Sequence, residues 1–207
     1  MKTEAKAESA AALDPAALVT QRLVESAETL QAFAKSQSGA IAAAGRLLAE
    51  TVRGGGMILF CGNGGSAGDA QHIATELVVR LTSAFPRPAI AAIALTTDSS
   101  LLTACANDFG FDHVFERQVE ALGRPGDALV GITTSGKSKN VVLALQKARA
   151  QGVKTVLLSA GKGADCAALA DAAILVPSTD TGHIQESHIA AGHILCELIE
   201  RLAFGRK

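Results

Sequence analysis

The 207-residue chain contains no tryptophan and no tyrosine, and seven phenylalanines bring its aromatic content to only 3%. Modules that bind nucleic acid by stacking bases need aromatic platforms, so this scarcity counts against them. An excess of one charge is also missing. Nineteen Lys and Arg against 20 Asp and Glu leave a net charge of −1, which gives no electrostatic footprint for a polyanion. No apolar run approaches the length of a membrane span, and residues 1–14, mixed Ala, Lys and Glu, have no apolar signal core. Cysteines are few: Cys61, Cys105, Cys166 and Cys196 are scattered in apolar contexts without a CxxC. They read as buried free thiols in a reducing compartment, not as a disulfide framework or a thiolate zinc site. A cytoplasmic protein without nucleic-acid or membrane partners is expected.

What the chain does have is apolar content of 48%, much of it Ala and Gly, at a length suited to one domain with a sizeable core. Residues 1–14 read as a flexible tail and 15–207 as the domain. Apolar periodicity predicts a helix over about Pro15–Ser36 and a second over Ser38–Arg53, stopped by Gly54-Gly55-Gly56. Alternation then begins. Strands are predicted at Met57–Cys61, Ala89–Leu95, Asp127–Ile132, Lys154–Leu158 and Ala172–Val176. Helices are predicted at Ser66–Leu81, near Ser99–Ala106, at Phe111–Leu122, from the turn at 133–138 to Ala150, and at His183–Phe204. Short, continuously apolar strands alternating with helices indicate a doubly wound α/β domain with a five-stranded parallel sheet. The two leading helices and the long last one exceed what the sheet needs for cover, and subunit packing is one use for them.

Ligands in such sheets sit beyond the carboxyl ends of the strands. Two polar loops are expected there. Gly62-Asn63-Gly64-Gly65-Ser66 joins a strand to a helix, an arrangement that aims backbone N–H groups at an anion. Thr133-Thr134-Ser135-Gly136-Lys137-Ser138 places four hydroxyls in six residues, more than helix capping requires and suited to a phosphate. GITTSGKS at 131–138 formally matches a triphosphate-binding loop. Gly131, however, falls inside an apolar strand, and no later strand ends in an Asp placed to hold magnesium.

His72 and Glu76 are one turn apart on the helix that follows the glycine loop. Gln185, Ile189 and His193 recur at i, i+4 and i+8 on the terminal helix. Two His, one Glu and one amide oxygen make a borderline metal set, with zinc the usual occupant. The same groups also suit metal-free proton transfer, with Glu as base and His as acid. His113, His183 and His188 lack this register and read as surface or structural. Asn107-Asp108, before Phe109-Gly110-Phe111, suits either a plain turn or the holding of sugar hydroxyls.

Four stretches together carry a resemblance: CGNGGSAGDAQHIATEL (61–77), ANDFGFDHVFERQVEALG (106–123), GDALVGITTSGKS (126–138) and IQESHIAAGHILCELIE (184–200). The chain resembles the sugar isomerase (SIS) domain family, and within it the bacterial sedoheptulose 7-phosphate isomerases. The resemblance implies a flavodoxin-like sheet and a homotetramer with active sites at subunit interfaces. It also implies conversion of sedoheptulose 7-phosphate to D-glycero-D-manno-heptose 7-phosphate, a first step toward lipopolysaccharide or other surface glycans. By position it implies substrate contacts from Asn63, Gly64, Gly65, Ser66, Asn107, Asp108, Thr133, Thr134, Ser135, Ser138 and Gln185. His72, Glu76, Gln185 and His193 correspond to the zinc ligands, one ion per subunit. Glu76, also in contact with substrate, and His193 correspond to the base and acid. A non-enzymatic adaptor that binds the replication initiator, and a sugar-phosphate sensing module, share the fold. The adaptor lineage lacks the Glu and His that this chain keeps at 76 and 193, and a sensor has no need of them.

Overall fold

The computed structural model describes residues 13–161 and 164–205. The expected tail, 1–14, lies outside the described residues except for its last two. Of these, Asp14 caps the first helix, accepting from the N–H groups of Ala16 (3.0 Å) and Ala17 (3.4 Å). Pro15 follows at the first helical position, where its missing N–H costs nothing.

That helix, α1, runs unbroken over Pro15–Arg53, which corrects the expectation of two helices. The polar stretch Ser36-Gln37-Ser38-Gly39 suggested a break, but it contains no proline, and a lone Gly costs only about 1 kcal/mol. Ser36 and Ser38 donate back to the carbonyls of Ala32 and Ala34, so their hydroxyls are satisfied inside the helix. Gln37 serves the tertiary structure, since its Oε1 accepts from Leu175 N (3.1 Å) on the outermost strand of the sheet.

The sheet is five-stranded and parallel throughout, with strands β1 (Ile58–Gly62), β2 (Ala92–Ala94), β3 (Ala128–Ile132), β4 (Lys154–Ala160) and β5 (Ala172–Val176) in the order β2-β1-β3-β4-β5. This is the flavodoxin-like order, which reverses between β1 and β3. The second strand is shorter than the expected Ala89–Leu95, because Ile90 N already bonds Leu77 O at the end of the preceding helix. Between strands lie α2 (Gly65–Val78), α3 (Ser99–Phe109), α4 (Glu116–Leu122), α5 (Lys139–Ala150) and the four-residue α6 (Ala164–Ala167). The chain closes with α7 (Thr181–Phe204). The expected helix Phe111–Leu122 divides into a 3-10 turn, Phe111–His113, and α4.

Strand side chains alternate between two apolar layers. Ile58 and Phe60 face one layer with α1, α2 and α7, while Leu59 and Cys61 face the other with α3, α4 and α5. All four cysteines are buried free thiols, and burial pushes Cys61 and Cys196 up to about 12. Among the described residues, no helix is long and apolar enough to cross a membrane.

Candidate active site

Two of the expected site loops leave the sheet where its strand order reverses, after β1 and after β3. This is where open α/β sheets leave a crevice. In the first loop Gly64 sits at φ +56°, a conformation that favours glycine, and opens α2 without any side-chain cap. The second loop begins at Thr133, which is buried, and Thr133 Oγ1 lies 3.0 Å from Ser138 Oγ, closing the turn. Gly131 is a buried residue within β3, so the formal triphosphate-loop match does not begin at a loop.

An amide pair ties the loops together. Asn63 Nδ2 donates to Asn140 Oδ1 and Asn140 Nδ2 donates to Asn63 Oδ1, each at 2.9 Å. Asn140 is buried, and its Oδ1 also accepts from Val141 N (2.9 Å) at the start of α5. The sequence offered Asn63 alone. Its partner sits just past the hydroxyl-rich loop and gave no local signal.

Thr134, Ser135 and Lys137 form one wall of a cleft of about 230 Å³, and Ser178, Thr179 and Thr181 from the β5–α7 connection line it opposite. These last three hydroxyls were not anticipated, although SerThrAspThr at 178–181 is as hydroxyl-rich as the loop it faces. Gln185 stands one turn into α7, and a Cβ placed on Gly65 would sit 2.5 Å from its Nε2. A side chain at Gly65 would therefore displace the Gln185 amide from the start of α2.

Farther along the same helices, His72, Glu76 and His193 converge, each offering a ligand atom within 4.8 Å of the others. His72 Nε2 lies 2.8 Å from His193 Nε2 and 3.4 Å from Glu76 Oε1. Both imidazoles are solvent-exposed, whereas the Glu76 side chain is only 19% exposed, so the carboxylate forms the floor of the cluster. Asp69, one turn before His72, has a buried Oδ2 without a hydrogen-bond partner among the described residues. Desolvation raises its pKa, with His72 opposing.

Asn107 and Asp108 end α3 with exposed side chains bonded to each other at 2.8 Å. They neither line the cleft nor join the cluster. Of the histidines set aside, His183 and His188 are buried, and His188 donates from Nε2 to Ser159 O (3.1 Å). The third, His113, pairs with Glu116 at 2.6 Å.

The SIS domain model matches residues 23–160. The chain is 52% identical over 186 residues to a phosphoheptose isomerase of Chlorobaculum parvum, covering 89% of each chain. Among solved structures it resembles a phosphoheptose isomerase from Neisseria gonorrhoeae, with TM-score 0.82 and 41% identity over 89% of this chain and 97% of the other. It also resembles one from Francisella tularensis, with TM-score 0.86 and 33% identity over 91% and 100%.

Proposed function

Because this chain belongs to the SIS domain family, we propose that it interconverts sedoheptulose 7-phosphate and D-glycero-D-manno-heptose 7-phosphate, the supply step for ADP- or GDP-heptose used in surface glycans. The observation that carries this reading is the convergence of Glu76 on α2 and His193 on α7, the helix that starts at the hydroxyl-lined cleft and whose Gln185 lies against Gly65 at the start of α2. An adaptor or sensor needs the cleft alone.

Moving a carbonyl from C2 to C1 requires a proton to leave C1 and one to arrive at C2. The hydroxyl proton passes from O1 to O2, and an enediol lies between. Glu76, a shielded carboxylate, takes the C1 proton, and His193 works as the acid. Thr134, Ser135 and the hydroxyls of Ser178, Thr179 and Thr181 hold the phosphate in the cleft, with Ser138 at the N-terminus of α5, where free N–H groups favour an anion. Thr133 closes that loop. Asn63, Gly64, Gly65 and Gln185 line the path from phosphate to the reacting carbons, and Ser66, buried in the first turn of α2, contributes from behind them. The resemblance also assigns Asn107 and Asp108 to sugar hydroxyls, and in this reading they do so from outside the cleft and the cluster of their own subunit.

The donor set fits a borderline divalent cation. His72 and His193 approach with both Nε2 atoms turned to one point and Glu76 beside them. We infer zinc there, held by His72, Glu76 and His193 with Gln185 as the fourth group. When bound, it supplies Lewis-acid polarisation of the substrate oxygens.

We further infer one domain over 15–207, a cytoplasmic location and a homotetramer whose subunits meet around the sites. The assembly is supported by apolar side chains left exposed along the first turns of α1, such as Val19 and Leu23.

An NMR time course of sedoheptulose 7-phosphate with the purified protein, with and without zinc, tests the reading. An aldose C1 signal that disappears in Glu76→Gln is expected. No aldose, with sugar phosphate still raising the melting temperature, would replace the isomerase by a binding module.

A further inference from the structure

Helices α2 and α7 run parallel, and three contacts along their length set how they lie. Gly65 meets Gln185 at the helix starts, and Gly192 has no room for a Cβ against the Ile73 side chain in the middle. At the far end stands Arg87, from the segment between α2 and β2. Its Nη2 donates to Glu76 O (2.7 Å), its Nη1 to Leu77 O (2.8 Å) and Pro88 O (3.0 Å), and its Nε to Glu200 Oε1 on α7 (2.9 Å). Both side chains are buried, with exposures of 1% and 0%.

Helix α2 has no basic residue in its own last turn. The Arg87 guanidinium fills that role at the negative end of the helix, taking up carbonyls that the helix leaves unpaired. One of them belongs to Glu76 itself. Glu200 lies two turns beyond His193 on α7. One planar fork thus holds the backbone of Glu76 on one helix and a carboxylate seven residues past His193 on the other.

A buried ion pair is a poor device for stability, since apolar residues of similar volume do as well or better. Its strength is geometric: two fixed directions at one point allow a single register. A slip of one residue would move α7 by about 1.5 Å along α2, enough to part Glu76 from His193. We propose that Arg87 and Glu200 are positioning residues that lock α7 against α2 in the register that sets Glu76 opposite His193. This rests on the isomerase reading above.

The test compares Arg87→Lys, Glu200→Gln and the double variant Arg87→Met with Glu200→Leu. Glu200→Gln, which takes the counter-charge away from a buried guanidinium, lowers the melting temperature by roughly 10 °C. The double variant regains wild-type melting yet loses kcat by about 100-fold with KM within twofold. Wild-type kcat in that variant, or a loss confined to KM, would overturn the proposal. If the double variant does not fold, Arg87→Lys decides. It keeps the buried charge but cannot reach both carbonyls and Glu200, so kcat falls at least tenfold, and wild-type kcat would overturn the proposal. Should the wild-type protein itself turn over no heptose phosphate, the isomerase reading fails. Crystal structures of the wild type and whichever variant folds then settle the proposal. A shift of α7 along α2 supports it, and an unchanged Glu76–His193 relation overturns it.

Discussion

The hydroxyl-lined cleft takes its residues from loops that leave the sheet, whereas the His72–Glu76–His193 cluster takes its residues from the sides of two helices. Loop residues inherit their places from the β ladder. Once β1, β3, β4 and β5 are in register, Thr134, Ser135 and Ser178 have few alternatives. The cluster has no ladder beneath it. Its geometry depends on how closely two helices pack and at what register, which a few side chains decide. The cleft should therefore tolerate single changes with graded losses, while the cluster should fail abruptly.

The sharpest check is a double variant. Glu76→Gln and His193→Gln each lower kcat by about 1,000-fold, and together they cost little more than either alone, because the two act on one proton path. Full multiplication of the two losses in steady-state kinetics would separate them into independent groups. Next comes Gly192→Val. Its side chain would have to displace Ile73, so kcat falls by about 100-fold and stability by about 1–3 kcal/mol in thermal melts. Wild-type turnover there would mean that the helices can part without consequence.

On the cleft side the effects are smaller. Asn140→Leu removes the amide pair and raises KM by roughly tenfold, with a stability loss of about 1–3 kcal/mol. Ser138→Ala raises KM a few-fold at unchanged kcat, since one neutral hydrogen bond contributes about 1 kcal/mol. The smallest effect concerns neither end. Burial holds the His188 imidazole below its ordinary pKa, against the bond to Ser159 O. As pH falls below about 6.5 the unfolded chain takes up a proton that the native state refuses. Stability is intact above that pH and declines on acidification toward the folded pKa. In His188→Gln, melting temperature should fall less steeply between about pH 7 and pH 5.

How much of this was legible follows the same division. The glycine loop, the hydroxyl loop and the strands before them are local patterns, and the alternation of apolar runs with helices was enough for a five-stranded parallel sheet, whose flavodoxin-like order came only with the resemblance. The His72–Glu76 pair was legible as one helical turn. Its meeting with His193 rests on helix packing, which spacing within α7 only hinted at. Asn140, Arg87 and Gly192 act through partners 77, 113 and 119 residues away, so no window around them reveals what they do. The same blindness split α1 in two. Gln37 looked like a break because Leu175 N, the group that gives it a reason to be polar there, is 138 residues distant.

The Asn63–Asn140 clasp also has a history in time. Its halves are separated by 77 residues and sit beyond the carboxyl ends of strands that must already be paired. Bringing them together costs loop-closure entropy that only the finished β1–β3 ladder offsets. The clasp is therefore expected to form late, on the native side of the folding barrier. Asn140→Leu should steepen neither arm of a denaturant chevron but lift the unfolding arm, leaving the refolding rate as it was. The crevice at the centre of the sheet is then among the last parts of the molecule to close and among the first to open.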